Sequence, residues 1–252
     1  MRVTFLGTGT SQGVPLIGCD CRVCSSSLPE NKRMRPSIWL EFEDHHVVID
    51  TAPEFRLQAL RYGLPQLDAV LFTHAHADHV CGFDDIRRFC QMQRQAIPVY
   101  ASQDTLDTLQ NLFGYAFDLA RNDWSIPRAA KHVIDGPFAL FGQRIEPLQV
   151  FHGSMPITGF RIGDFAYITD CSVIPENTLA ALHHLDVLVL DALRYRPHPT
   201  HFSISEALQV IEVLQPRRAY LTHLCHEVDH AELATSLPDN ILPAFDGLVV
   251  EV

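Results

Sequence analysis

The segment Ala69-Val70-Leu71-Phe72-Thr73-His74-Ala75-His76-Ala77-Asp78-His79 constrains this chain more than any other. An apolar run of strand length leads directly into four candidate ligands within six residues. His74 and His76, two apart in extended chain, can turn the same way and grip one ion, while Asp78 and His79 follow after a turn and can face a second. Ala75 and Ala77 keep the space between the ligands clear. A lone His-x-His is commonly no more than two surface polar groups. The full His-x-His-x-Asp-His straight after a buried strand points to cations, and cations need rigid strand ends to hold their ligands.

The rest of the chain supplies such strands. Short apolar runs punctuated by Gly, Pro and Asp read as strands at Val3 to Leu6, Val47 to Ile49, Ala69 to Phe72, Pro98 to Tyr100, Phe165 to Ile168, Val187 to Leu190 and Ala219 to Thr222. Pro53 to Tyr62, Gln103 to Phe113 and Ser203 to Leu214 read as helices, the last opening Ser203-Ile204-Ser205-Glu206 in the pattern of an N-terminal cap. The class is α/β. With 252 residues, no repeat and no linker, one domain over residues 1–252 is expected. The stretch from about Cys81 to Lys131 is the least strand-like and is expected to be a helical insertion over one face.

Cys19-Asp20-Cys21-Arg22-Val23-Cys24 gathers three of the 7 cysteines, too close together to staple a fold. Three thiolates on one loop want a fourth ligand to complete a tetrahedral zinc site, and His226 is the candidate, with Cys225 its rival. Cys81, Cys90 and Cys171 read as small buried fillers. Thiols kept reduced, no apolar leader and no run of membrane length together lead us to expect a cytoplasmic protein with no membrane partner.

With the histidine motif, the chain resembles the metallo-β-lactamase superfamily, which implies an αββα sandwich of two mixed β-sheets flanked by helices. The resemblance implies three further ligands at strand ends. They are His152 after Leu148-Gln149-Val150-Phe151, Asp170 after Phe165-Ala166-Tyr167-Ile168-Thr169, and His223 after Ala219-Tyr220-Leu221-Thr222. One ion would then take His74, His76, His152 and Asp170, the other Asp78, His79, His223 and Asp170. Asp50, after Val47-Val48-Ile49, matches the acidic residue of the family's first motif and is expected to orient a ligand histidine.

Phe5-Leu6-Gly7-Thr8-Gly9-Thr10-Ser11-Gln12-Gly13-Val14-Pro15, followed by the cysteine loop, is similar to the branch that holds the phosphoribosyl cyclic phosphodiesterase of phosphonate breakdown and the ribonuclease Z enzymes. The segment Asp191 to Ser203 resembles the cyclic phosphodiesterase group, where a histidine here reaches the metals. His201 is the match and His198 the alternative. The resemblance thus gives Asp78 and His201 catalytic roles, with two divalent ions (Mn²⁺ or Zn²⁺) in the active site and one structural Zn²⁺. Arg194 and Arg196 are phosphate contacts or solvated loop residues.

A net charge of -11 argues against the basic footprint of a nucleic-acid binder, so no stable nucleic-acid partner is expected, although two bound cations would reverse the field locally. The implied function is metal-dependent hydrolysis of a small phosphodiester such as phosphoribosyl 1,2-cyclic phosphate. The alternatives are a ribonuclease Z-like tRNA-processing endonuclease and a non-enzymatic metal- or cofactor-binding protein of the same fold. A homodimer is left open.

Overall fold

A computed structural model describes residues 1–120 and 123–252. Strands β1 (Arg2–Gly7), β2 (Ser37–Phe42), β3 (His45–Ile49), β4 (Ala69–Leu71), β5 (Ile97–Ala101) and β6 (Ala129–Val133) build one sheet. A second contains β7 (Phe138–Leu140), β8 (Gln143–His152), β9 (Met155–Ile162), β10 (Phe165–Ile168), β11 (Val187–Asp191), β12 (Arg218–Thr222) and β13 (Ile241–Pro243). The last strand, β14 (Val249–Glu251), returns to the first sheet and pairs with β1. From β3 to β6 and from β10 to β13 neighbouring strands run parallel, and the remaining pairs are antiparallel. Both sheets are mixed.

Each parallel strand reads as a continuous apolar run because both of its faces are covered. In β11, Val187 and Val189 face the other sheet, in a core shared with Phe5, Leu40, Ile49, Leu71 and Phe165. Leu188 and Leu190 point outward to α5 (Glu176–Ala181) and α6 (Ile204–Leu214), with α7 (His230–Ser236) adding Leu233. In β4 the same alternation sends Ala69 and Leu71 inward, whereas Val70, and Phe72 just past the strand, pack outward among side chains of α1 (Phe55–Tyr62), α3 (Arg87–Gln93) and α4 (Gln103–Phe113). The expected αββα sandwich is the observed one.

Helix α6 shows how little of this needs long-range help. Ser203 accepts from the Glu206 backbone while the Glu206 carboxylate accepts from the Ser203 N–H at 2.8 Å, a complete capping box worth about 1 kcal/mol. Ile204, Ala207, Ile211 and Leu214 then recur on one buried face. At roughly 1.5–3 kcal/mol for each large side chain buried, that face anchors the loop that precedes it.

Three sequence expectations need correction. The segment Cys81 to Lys131 is not an insertion: α3 and α4 cover the first sheet, but β5 and the start of β6 lie in the same segment and extend that sheet. Residues 121–122, which fall in this segment, lie outside the described residues. Cys81 is exposed at the C-terminal cap of a short helix, α2 (Ala77–Val80), whereas Cys90 and Cys171 are buried. The helix expected from Pro53 begins at Phe55, because Ala52 to Phe55 close a turn first, with the Phe55 N–H donating to the Ala52 carbonyl. Among the described residues, no helix is long and apolar enough to cross a membrane.

Candidate metal centre

The C-terminal ends of the parallel strands deliver the chemistry, as open α/β sheets commonly do. Asp50 follows β3, Thr73 and His74 follow β4, Asp170 follows β10, Asp191 ends β11 and His223 follows β12. His152 ends β8, at the β8–β9 hairpin. Gly153 makes that turn at φ 63°, and a Cβ there would stand 2.9 Å from Thr200 Cγ2, so glycine lets the His152 and Thr200 loops touch. Asp50, Asp170 and His223 adopt φ of 64°, 54° and 62°. Such left-handed conformations of non-glycine residues cost about 1–3 kcal/mol each and persist where the fold over-determines them, typically at functional sites.

Donor atoms of His74, His79 and Asp170 converge, as do those of Asp78, Asp170 and His223, and those of His152, Asp170 and His201, each group within 4.8 Å. Asp170 is common to all three. His76 stands beside them, its ring 4.6 Å from that of His74 and 5.2 Å from that of His152. The inclusion of His201 differs from the expected ligand sets, in which it had no part. His198 stays outside, its ring 5.1 Å from that of His201.

The imidazoles are oriented from behind. His79 Nδ1 lies 2.7 Å from Asp50 Oδ2, and Thr73 donates to the same carboxylate through its N–H and hydroxyl, so Asp50 takes the orienting place expected of it. His152 Nδ1 faces the Thr200 carbonyl at 2.8 Å. His201 Nδ1 lies 3.3 Å from Asp191 Oδ2, an oxygen that also accepts from the Cys171 and Phe202 N–H groups. In His79 and His152 the other ring nitrogen is left for the cluster, and in His201 it is left free of Asp191. Sequence reasoning gave no role to Asp191, Thr73 or Thr200. An aspartate closing Val187-Leu188-Val189-Leu190 was the available signal.

What remains unsatisfied fits a cation. His74 Nε2, Asp78 Oδ2, His79 Nε2 and both nitrogens of His223 are buried without a hydrogen-bond partner. His79 Nε2 approaches Asp78 Oδ2 at 3.3 Å and Asp170 Oδ2 at 3.2 Å, and His223 Nδ1 approaches Asp170 Oδ2 at 3.3 Å. Orphaned buried polar atoms cost roughly 1–3 kcal/mol each, and shared cations would satisfy all of these. The electrostatics agree. Burial and the neighbouring His79 push the His74 imidazole well below its ordinary range, favouring the neutral ligand form. Burial would raise the Asp170 carboxyl, but His223, His79 and His74 outweigh it and hold the group well below.

The cysteine loop meets His226 as expected. Cys19 Sγ and Cys21 Sγ each lie 3.5 Å from His226 Nδ1, and Cys24 completes the group. Backbone N–H groups of Leu16 and Cys24 donate to Cys24 and Cys21 sulfurs, which favours thiolate. The Cys24 N–H and then His226 lower the Cys21 thiol to about 6, while burial raises that of Cys24 to about 11. Cys225, the rival ligand, is buried with its sulfur accepting from the Glu227 N–H.

Residues 45–224 match the family model described as the beta-lactamase superfamily domain. A solved diphosphatase of the PhnP family is 41% identical, with a TM-score of 0.93, covering 100% of this chain and 97% of that one. The chain is a PhnP-like member of the metallo-β-lactamase superfamily. An octanoyltransferase of Porphyromonas gingivalis is 38% identical over 254 residues, covering 98% of this chain but 51% of that protein, so the chain spans about half of that relative. The Zn²⁺-bound PqqB of Methylobacterium extorquens, at 19% identity, TM-score 0.82 and full coverage of both chains, shares the fold. This PhnP-like chain therefore carries the metallo-β-lactamase hydrolase fold, with its candidate ligands gathered at one edge of the sandwich.

Proposed function

We propose that the chain is a phosphodiesterase with two divalent ions in its His/Asp centre, opening a small cyclic phosphodiester such as phosphoribosyl 1,2-cyclic phosphate. The observation that carries this reading is the orphaned set of buried donors around Asp170, with an Asp191-backed His201 beside them. His74, His76, His152 and Asp170 would hold one ion, and Asp78, His79, His223 and Asp170 the other. Mn²⁺ or Zn²⁺ suits such donors, and Zn²⁺ suits the thiolate clamp of Cys19, Cys21, Cys24 and His226. When bound, such an ion pair supplies Lewis acidity for the phosphoryl oxygens and a water acidic enough to attack near neutral pH.

The protein's own part is positioning and proton handling. Asp50 and Thr200 fix His79 and His152, so the ligand cage does not reorganise as charge develops. Asp191 engages His201 Nδ1 and leaves Nε2 to hold a proton for the departing ribose oxygen, a contribution typically of ~10²–10⁴-fold. The ring of His201 stacks on that of His223 at 4.8 Å, which restricts it to the edge of the cluster. Thiols that must stay reduced for the clamp fit a cytoplasmic setting.

The test compares hydrolysis of phosphoribosyl 1,2-cyclic phosphate, bis(p-nitrophenyl) phosphate and a precursor tRNA by metal-loaded enzyme. Efficient opening of the cyclic phosphate with little tRNA cleavage supports the proposal. Preferential tRNA cleavage replaces it with RNA processing, and stoichiometric metal without hydrolysis of any of the three replaces it with a binding role.

A further inference from the structure

The cysteine loop is a small structure of its own. Val14, Val23 and Cys24 form a buried cluster, with Leu16, Cys19 and Cys21 packed against it, apart from the clusters that fill the sandwich. At the tip of the loop Ile17 stands fully exposed. The pair of Arg22 with Glu232, both exposed, ties the loop to the surface, and such pairs hold far less firmly than metal ligation. The loop can therefore open without disturbing the sheets.

We propose that Cys21 and Cys24 are a reversible oxidation site: peroxide joins them in a disulfide that empties the clamp and loosens the loop carrying His201. This rests on the zinc reading of the clamp above and is independent of the phosphodiesterase reading.

The two cysteines close one turn, in which the Ser25 N–H donates to the Cys21 carbonyl at 2.9 Å. Residues three apart in such a turn have Cα atoms closer than about 7 Å, and a disulfide needs roughly 4.4–6.8 Å. The three sulfurs and a ring nitrogen of His226 already lie within 4.8 Å of one another. Cys19 lies outside the turn. Cys21 is the entry point, half-buried where Cys24 is buried. Its sulfur accepts from the Cys24 N–H at 3.4 Å and faces His226 Nδ1 at 3.5 Å, contacts that support a thiolate.

The Cys21 thiolate attacks one oxygen of hydrogen peroxide: the S–O bond forms, the O–O bond breaks, and hydroxide leaves and takes up a proton. The Cys24 thiolate then attacks the sulfenic sulfur of Cys21: the S–S bond forms, the S–O bond breaks, and hydroxide again leaves as water. The two sulfurs lose two electrons in all, one peroxide gains them, and two protons are consumed. Cys19 and His226 alone do not make a tetrahedral zinc site.

The consequence reaches the His/Asp centre by a short route. His226 lies three residues after His223, and between them the Cys225 N–H donates to the Leu193 carbonyl at 2.9 Å. The Leu193 N–H in turn donates to the Phe202 carbonyl at 2.9 Å, next to His201. Opening the clamp removes the anchor at the outer end of this chain.

The experiment treats Zn²⁺-loaded wild type with hydrogen peroxide and follows released zinc with a chromophoric indicator, cysteine linkage by peptide mass spectrometry, and amide hydrogen exchange at Leu193 and Cys225. Expected are one ion lost per chain in step with a Cys21–Cys24 disulfide, several-fold faster exchange at both amides, and recovery of all three with dithiothreitol and Zn²⁺. Cys24→Ala should form no disulfide and should carry a Cys21 sulfenic acid that dimedone captures. Cys81→Ser, which removes an exposed thiol outside the clamp, should respond as wild type does. An ion retained at peroxide levels that oxidise Cys81, a disulfide that leaves out Cys21 or Cys24, or unchanged exchange once the disulfide has formed overturns the proposal. A wild type that holds no ion in the clamp fails the zinc reading instead, and the linkage map of the peroxide-treated chain then decides whether Cys21 and Cys24 pair.

Discussion

The two ligand clusters of this protein are built on opposite plans. The His/Asp centre draws on the ends of strands from both sheets, with three ligand or orienting residues forced into left-handed backbone and each oriented imidazole backed by a carboxylate, hydroxyl or carbonyl. The cysteine clamp sits on a loop, tied to the rest of the chain by His226 and by Arg22, which pairs with Glu232 across the surface. The first is a rigid frame of the kind that would suit the two cations proposed for it. The second would take its order from the metal proposed for it, as structural zinc sites do.

The largest effect should come from Asp170→Asn, which removes the carboxylate shared by the converging groups. It should abolish metal binding in the centre and lower activity by well over the ~10–100-fold typical of outer partners, checked by metal analysis and initial rates. Substitution of the clamp by Cys21→Ser should do the reverse. It should lose one metal and lower the Tm, yet leave the metals of the His/Asp centre in place, as calorimetry and metal analysis would show. Asp50→Asn should fall between them, weakening metal affinity by about 10–100-fold through His79 without emptying the centre. His201→Ala should cut kcat by about 10²–10⁴-fold with both metals retained; loss of metal would instead make His201 a ligand, as its place beside His152 and Asp170 allows.

The smallest effect concerns pH and lies away from both clusters. Burial raises the Asp246 carboxyl to about 7 against the pull of its donors, the Met34 N–H and the Thr8 hydroxyl and N–H. The folded state therefore holds this proton more tightly than the unfolded chain, so its contribution to stability falls as pH rises from about 4 to about 7, by at most ~1.4 kcal/mol per unit. Asp246→Asn should flatten that part of the stability profile, and an unchanged slope would show that Asp246 does not titrate there.

The contrast also explains what the sequence made legible. His74 to His79 and Cys19 to Cys24 are dense local patterns, and each was readable without the fold. The parallel strands were readable because burial on both faces makes them uniformly apolar. β8 and β9 were harder: Pro147 and Gly159 interrupt them, and their partly exposed residues mix polar with apolar. Asp191 could be singled out as the close of an apolar run, but its partner and that of Thr200 could not, for a different reason. Their roles depend on contacts across ten and 48 residues of chain, to His201 and His152, which no local pattern encodes.

The most direct test of two independent metal centres is the metal content of wild type, Cys21→Ser and Asp170→Asn prepared in parallel. The account predicts two ions in the His/Asp centre and one in the clamp, with Cys21→Ser losing the clamp ion alone and Asp170→Asn losing the centre alone. Loss of all metal from either variant, or a wild type that holds a single ion, would contradict it.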